Sequence, residues 1–173
     1  DEGFYYDLDL GDVKLTEEDL VKIEKKMKAI AEGNTEIERR VVSKEEALEL
    51  FKNDKYKTEL INELESDAVI SVYQQGNFMD LCRGPHVSST KWLKNFKLLS
   101  VSGAYWRGDA KREQLQRIYG CCFIKEQDLK ECLSIMLEEI KKGHQIYVVS
   151  PLVEENEEMD LYDVEKLKEK LNT

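Results

Sequence analysis

An acid, a thiol and an imidazole lie within seven positions of one another in the segment D-L-C-R-G-P-H-V, residues 80 to 87. Cys82 and His86 are four residues apart, a spacing that would put both on one face of a helix. Gly84-Pro85 stands between them and disfavours a helix, because proline lacks an N–H donor and clashes with the preceding turn. The sequence therefore predicts that a turn brings the two side chains together.

Zinc binding is one interpretation of this pair, since a thiolate and a neutral imidazole are both good zinc ligands. Cys82 and His86 make only half of a tetrahedral site, so they hold a metal only if two further ligands are supplied. The other histidine, His144, lies in a different segment. We therefore expect no zinc in this chain as it stands, and a reduced thiol beside a structural turn histidine is the alternative.

Nucleophilic catalysis is a third interpretation, because a neighbouring imidazole can accept the proton of a thiol. Such a nucleophile also needs an oxyanion hole and a third group that orients the base. Asp80 precedes Cys82 by two residues in a predicted strand, so it faces the same way as Cys82 rather than toward His86. These interpretations stay open on spacing alone.

A basic and aromatic segment follows the turn. Its members are Lys91, Lys94, Lys97, Arg107, Lys111, Arg112 and Arg117, interleaved with Trp92, Phe96, Tyr105 and Trp106. Cationic side chains mixed with aromatic planes suit phosphate contact and base stacking, although such a run is also typical of a solvated face. The net charge of the chain is −10, which argues against a protein that binds nucleic acid over its whole surface.

The 173 residues suit one main domain, with 41% hydrophobic and 36% charged residues. The sequence contains neither an apolar run of the roughly 20 residues that cross a bilayer nor the pattern of a signal peptide at its start. We therefore expect a cytoplasmic or organelle-matrix protein without membrane contact, whose four cysteines are reduced thiols. The start on Asp1, directly before Phe4-Tyr5-Tyr6, predicts a piece of a longer chain.

The hydrophobic pattern predicts an α+β fold, a mostly antiparallel sheet with helices packed on one side. Predicted strands cover 4–10, 37–42, 68–73, 78–82, 96–101, 116–124 and 144–149. Predicted helices cover 17–32, a segment from Ser43 through Leu50-Phe51, one or two turns within 55–64, a helix from Glu126 that Gly143 ends, and 160–171. Thr16 with Asp19, and Ser43 with Glu46, have the spacing of capping boxes. Gln75-Gly76-Asn77 predicts a hairpin turn that leads into residues 78–82.

Four segments carry a resemblance to a known family. They are D-E-G-F-Y-Y-D (1 to 7), D-L-C-R-G-P-H-V (80 to 87), F-K-L-L-S-V-S-G-A-Y-W-R-G-D (96 to 109) and L-Q-R-I-Y-G (115 to 120). In order and spacing they resemble the N-terminal editing domain of bacterial-type threonyl-tRNA synthetases, over about residues 1 to 142. The related alanine enzyme has a similar domain, but its turn differs from Arg83-Gly84-Pro85.

The resemblance implies a domain that hydrolyses serine wrongly attached to threonine tRNA, because a synthetic site cannot strongly exclude a substrate smaller by one methyl group. The family's catalytic residues match Lys57, Asp80, Cys82 and His86. Lys57 would orient water or the terminal ribose, Asp80 would hold a ribose or amine group, and His86 would position or activate water. The predicted substrate contacts are Tyr6, Arg83, Tyr105, Arg107, Lys111 and Arg117, where the tRNA acceptor end would bind.

The same resemblance implies features outside this sequence. The family's cleft includes a His-x-x-x-His pair on a helix before the segment that matches Asp1, and this chain has no such pair. Residues 1–143 are thus expected to be an editing domain without its first part, and 144–173 a divergent tail. ATP and Mg²⁺ would act only in the catalytic domain of the parent, the other expected partner. The alternatives are a silent tRNA-binding module and a trans-editing protein that needs a partner.

Overall fold

The computed structural model describes residues 3–144, which divide into two compact units. In the described part, the first unit contains residues 3–29 and 93–144, and the second contains Ile30–Trp92. The strands are β1 Gly3–Leu8, β2 Ile37–Val42, β3 Ile70–Gln75, β4 Phe78–Leu81, β5 Asn95–Tyr105 and β6 Gln114–Phe123. The α-helices are α1 Glu17–Glu32, α2 Lys44–Leu50, α3 Lys55–Glu63 and α4 Glu126–Lys141, with 3₁₀ turns at Thr90–Trp92 and Trp106–Gly108.

The first unit is built on a three-stranded antiparallel sheet in the order β1-β6-β5. Ile118 of β6 packs with Leu20 of α1, whereas Cys121 and Phe123 of β6 pack with Ile140 of α4. Because successive side chains of a strand point to opposite faces, the two helices cover opposite faces of this sheet. Leu98 and Leu99 of β5 contribute to opposite clusters, and a bulge at Leu98–Ser100 lets Val101, three residues after Leu98, join the same cluster as Leu98.

The second unit has its own antiparallel sheet in the order β2-β3-β4. Its core joins the sheet to α2 and α3 through Val42, Ala47, Phe51, Ile61, Ile70 and Val72. Here the helices lie on one face, as the sequence predicted. The α+β class is confirmed, with the strands divided between two sheets.

Local signals predicted the helix starts accurately. Asp19 Oδ2 accepts from the Thr16 N–H at 3.0 Å and from the Thr16 hydroxyl at 2.8 Å, and Ser43 Oγ accepts from the Glu46 N–H at 3.1 Å. Helix α1 has the predicted bounds 17–32. These bonds satisfy N–H groups that the first turn of a helix leaves unpaired.

The prediction for β5 was too short. The strand continues through Ser102, Gly103 and Ala104 to Tyr105, which pairs with Gln114. Residues of low strand propensity are held there by the ladder with β6, a contact that local propensity does not contain. The strand predicted at 144–149 falls, apart from His144, outside the described residues, and the helix predicted at 160–171 lies wholly outside them.

All four cysteines are free thiols in the structure. Burial raises the pKa of Cys121 to about 12 and also raises the pKa of Cys122, so both stay protonated at neutral pH. None of the helices within residues 3–144 has the length and apolar character needed to span a lipid bilayer.

Thr90, only 2% exposed, connects the end of the second unit to its beginning through hydrogen bonds. Its hydroxyl accepts from the Thr35 N–H at 2.9 Å and lies 3.3 Å from the Ile30 carbonyl, to which it donates. We expect Thr90→Val to lower the free energy of unfolding by about 1–3 kcal/mol, because it leaves the partly buried Thr35 N–H without this acceptor. Urea denaturation measures the loss.

Thr58→Val is the matched control for Thr90→Val. The Thr58 hydroxyl donates at 3.0 Å to the Phe51 carbonyl, which also accepts from the Asp54 N–H at 2.9 Å. The carbonyl thus keeps a partner, and the loss should be smaller. Equal losses in the two variants would contradict this account of Thr90.

Candidate functional site

Asp80 occupies a defined place on the sheet of the second unit. It lies in β4 directly opposite Tyr73 of β3, and their neighbours Val72 and Leu81 belong to the core against α2 and α3. Strand alternation therefore places Asp80 and Tyr73 on the opposite face of the sheet. Strand β4 is an edge strand, so a side chain from another element can reach Asp80 from the side.

Lys57 is such a side chain, and the start of α3 positions it. Asp54 is the N-cap of α3, and its Oδ1 accepts from the N–H groups of Tyr56 at 3.1 Å and Lys57 at 3.0 Å. The Nζ of Lys57 then lies 2.8 Å from Asp80 Oδ1 and 3.3 Å from Asp54 Oδ2. Lys57 and Asp80, more than 20 positions apart in sequence, meet in this ion pair.

Two carboxylates stabilise the charged form of Lys57. Burial by itself would lower the pKa of Lys57, but the hydrogen bond and charge of Asp80, together with Asp54, raise it above its ordinary value. Lys57 is therefore an ammonium group at neutral pH. Such a group can donate hydrogen bonds and stabilise negative charge, but it cannot act as a base.

The chain after β4 continues as a loop without helix, strand or turn over residues 82–87, and this loop carries Cys82 and His86. The Ser71 hydroxyl donates to the Cys82 carbonyl at 2.6 Å, and the Cys82 N–H donates to the Ser71 carbonyl at 3.2 Å. The Sγ of Cys82 accepts from the Gly84 N–H at 3.3 Å. This hydrogen bond holds the thiol against the backbone of the loop.

His86 lies at the end of this loop with one face of its ring covered. The imidazole stacks on the ring of Tyr73, with centroids 4.0 Å apart and 16° between the planes. Burial lowers the pKa of His86 from its ordinary value, although the charge of Asp80 raises it in part. His86 as a whole is exposed, so the neutral imidazole is accessible to solvent and to a substrate.

The arrangement brings together a base, a cation and an anion. The neutral imidazole can accept a proton from water, the ammonium of Lys57 can donate to a substrate oxygen, and Asp80 can accept from a hydroxyl or amine. The four predicted catalytic residues Lys57, Asp80, Cys82 and His86 all belong to the second unit. The structure directly joins Lys57 to Asp80, and the charge of Asp80 acts on His86.

The metal interpretation finds no third ligand among these residues. Within residues 3–144, no group of three or more histidine, cysteine, aspartate or glutamate side chains is arranged to hold an ion. The Sγ of Cys82 accepts a backbone hydrogen bond and the ring of His86 lies flat on Tyr73. The described residues therefore do not make a tetrahedral zinc site by themselves.

Most of the predicted substrate contacts lie in the first unit, the exception being the exposed Arg83 of the loop. Tyr6 of β1 and Tyr105 at the end of β5 are exposed aromatic side chains. Arg107 has a φ of 56° in the turn between β5 and β6, and its guanidinium lies 5.8 Å from the centroid of the Trp106 ring. Lys111 is exposed in the same turn.

Arg117 has a different environment from these four residues. It is only 6% exposed, and its Nε and Nη2 donate to the two carboxylate oxygens of Asp7 at 2.7 and 2.8 Å. The guanidinium also lies 4.0 Å from the centroid of the Tyr5 ring. Since Asp7 is the cross-strand partner of Arg117, this ion pair holds β1 against β6, and substrate contact by Arg117 stays a prediction.

Sequence reasoning missed two residues at the site, Asp54 and Tyr73. Asp54 directly precedes α3, and an aspartate before a helix is an N-cap signal that could have indicated it. Tyr73 was recognised only as part of a strand. No local signal distinguishes it, because its contacts with His86 and Gly84 depend on the fold of the loop.

Comparisons with known proteins relate this chain to one family of domains and to longer ligases. Residues 70–119 match the family described as the threonyl and alanyl tRNA synthetase second additional domain. Threonine–tRNA ligase of Thermotoga petrophila is 56% identical over 142 residues, and that of Acholeplasma laidlawii is 55% identical over 141. The Staphylococcus carnosus ligase is 53% identical over 144 residues.

These relatives are much longer than the chain. Each alignment covers 82 to 83% of this chain but 22% of the relative, so the chain spans about a fifth of their length. The residues matched to the family include Tyr73, Asp80, Cys82 and His86. Residues 70–119 thus match the threonyl and alanyl tRNA synthetase second additional domain, and the chain is related over most of its length to threonine–tRNA ligases.

Proposed function

We propose that this domain edits mischarged tRNA by hydrolysing the ester that joins serine to the terminal ribose of threonine tRNA. The observation that carries the proposal is the cluster on the second unit, in which Asp80 pairs with Lys57 at 2.8 Å beside a neutral His86. The cluster supplies a proton acceptor and a hydrogen-bond donor, which ester hydrolysis requires. Its relation to threonine–tRNA ligases supports threonine tRNA as the substrate.

The proposed reaction has one water molecule as its nucleophile. Neutral His86 accepts a proton from this water as its oxygen forms a bond to the acyl carbon of serine. The bond between that carbon and the ribose oxygen then breaks, and the proton passes to the ribose oxygen. Serine and uncharged tRNA are the products. Lys57 donates a hydrogen bond to the ribose or carbonyl oxygen where negative charge develops, and Asp80 keeps its ammonium in place.

The partners in this proposal are the acceptor end of the tRNA and the catalytic domain of a longer parent protein. The parent would attach threonine to tRNA with ATP and Mg²⁺, in the cytoplasm. The exposed Tyr6, Arg83, Tyr105, Arg107 and Lys111 would contact tRNA through stacking and charge. In our proposal this chain holds no zinc of its own, because Cys82 and His86 supply two ligands where four are needed.

The test compares release of serine from Ser-tRNA with release of threonine from Thr-tRNA. It uses this chain and a version that also carries whatever residues its gene encodes upstream. We expect selective release of serine, and Lys57→Ala should slow it by about 10- to 100-fold because the polar substrate atoms lose their positioned donor. Lys55→Ala, which alters an exposed lysine of the same helix, is the matched control and should leave the rate unchanged.

Three outcomes would contradict the proposal. If neither version releases serine, the domain is a tRNA-binding module without chemistry. If Lys55→Ala and Lys57→Ala slow release equally, the position of Lys57 beside Asp80 is not what matters. Release that appears only when a separate partner protein is added would indicate a trans-editing protein instead.

A further inference from the structure

Tyr73 is buried on a sheet face that the core of the second unit does not cover. Its neighbour Val72 packs in the core, so Tyr73 points to the opposite face, yet it is only 7% exposed. The loop after β4 contacts it there through His86 and Gly84. Tyr73 thus lies beneath the segment that carries the candidate chemistry.

The Tyr73 ring is the contact that sets the plane of the His86 imidazole. The two rings are 4.0 Å apart and nearly parallel, at 16°. Within residues 3–144 no hydrogen bond holds the imidazole, so packing on Tyr73 is what limits its rotation. Asp80, the charged residue that acts on His86, is also the cross-strand partner of Tyr73.

The hydroxyl end of Tyr73 meets the backbone of the same loop. A Cβ added at Gly84 would lie 1.8 Å from Tyr73 Oη and 2.6 Å from its Cζ. Gly84 also has a φ of 72°, in the region that favours glycine. The main chain of the loop therefore packs directly on Tyr73, midway between Cys82 and His86.

We infer that Tyr73 is a positioning residue for the hydrolysis, a platform that holds the imidazole of His86 and the loop at Gly84 in the geometry that water activation requires. It acts through His86 rather than by touching substrate. The expected effect on the rate rests on the proposed function. The claim that the Tyr73 ring holds the His86 imidazole does not. A small displacement of a catalytic group can cost two orders of magnitude in rate.

Two variants separate the ring from the hydroxyl. Tyr73→Phe keeps the stacking surface and loses the hydroxyl, whereas Tyr73→Leu keeps an apolar side chain and loses the ring. We expect Tyr73→Leu to lower kcat for serine release by about 10- to 100-fold with KM changed less than about 2-fold. Tyr73→Phe should retain a rate within about 3-fold of the original protein, since the ring remains. Circular dichroism and urea denaturation check that each variant is folded.

NMR spectroscopy tests the stacking of His86 on Tyr73 without measuring activity. The chain has two histidines, and His144→Ala identifies the imidazole proton signals of His86. A ring stacked on tyrosine shows upfield-shifted protons, so we expect such shifts in the original chain and in Tyr73→Phe, and their loss in Tyr73→Leu. The inference is supported if these shifts are observed and if kcat falls in Tyr73→Leu but not in Tyr73→Phe.

The outcomes distinguish the two proposals. Ordinary proton shifts for His86 in the original chain, or an unchanged kcat in folded Tyr73→Leu, would overturn the inference. A Tyr73→Phe variant as slow as Tyr73→Leu would also overturn it, because the hydroxyl and not the ring would then matter. If the original protein releases no serine, the editing proposal fails, and the NMR arm alone decides whether Tyr73 positions His86.

Discussion

Replacing His86 with alanine should slow the release of serine from Ser-tRNA by about 10²- to 10⁴-fold, the usual contribution of a general base. The imidazole is the proton acceptor of the proposed reaction, since it is neutral and exposed to solvent. Asp80 cannot readily replace it, because its carboxylate is paired with Lys57 at 2.8 Å. Single-turnover hydrolysis of labelled Ser-tRNA measures the change.

His144→Ala is the matched control for His86→Ala. His144 is an exposed histidine whose Nδ1 lies 2.6 Å from Glu139 Oε2, and it is absent from the candidate site. The control should keep the original rate. Similar rates for His86→Ala and the original protein would remove His86 from the proposed reaction.

The pH dependence of the rate follows from the same residue. Burial lowers the pKa of His86 below its ordinary value of 6.5, in spite of the opposing charge of Asp80. The neutral, proton-accepting form therefore persists as the pH falls to 6.5, and the rate should decline only at lower pH. His86→Ala should lack this decline, which a pH series on both proteins would show.

Replacing Arg117 with leucine should lower the free energy of unfolding by about 3–5 kcal/mol. The substitution leaves the carboxylate of Asp7, which is mostly buried, without the guanidinium that donates to both of its oxygens. It also removes the contact of the guanidinium with the Tyr5 ring at 4.0 Å. Urea denaturation followed by circular dichroism measures the loss.

Two further variants test the reason for this loss. Arg40→Leu removes one partner of an exposed ion pair, in which Arg40 Nη2 lies 2.9 Å from Glu46 Oε1, and it should cost far less. Adding Asp7→Leu to Arg117→Leu should recover part of the stability, because the unpaired charge is then gone. A loss for Arg117→Leu no larger than that for Arg40→Leu would show that burial of the pair is not the cause.

The helices and most strands were predictable because their signals are local. Apolar periodicity and the Thr16–Asp19 and Ser43–Glu46 caps lie within a few residues of one another, and the structure contains the elements that were predicted within residues 3–143. The extension of β5 to Tyr105 was not predictable in this way, because its ladder partner Gln114 is nine residues further along the chain. The division into two sheets depends on pairings of still longer range.

At the candidate site, too, local sequence signals predicted some features, whereas contacts between distant residues could not be predicted. By itself, the sequence determined that no helix joins Cys82 to His86, because Gly84-Pro85 lies between them. The resemblance indicated Lys57 and Asp80, but neither spacing nor periodicity could show that they form an ion pair. Their distance of 2.8 Å arises from the N-cap at Asp54 and from the edge position of β4.

Residue types and short spacings thus indicated an imidazole, a thiol and an acid that could do chemistry, and the family resemblance added Lys57. Only the tertiary structure decided how these groups are held. It placed His86 flat on Tyr73, kept Lys57 charged between two carboxylates, and buried Arg117 against Asp7. The physical reason is that burial and ion pairing depend on neighbours from distant parts of the chain, which a local pattern does not contain.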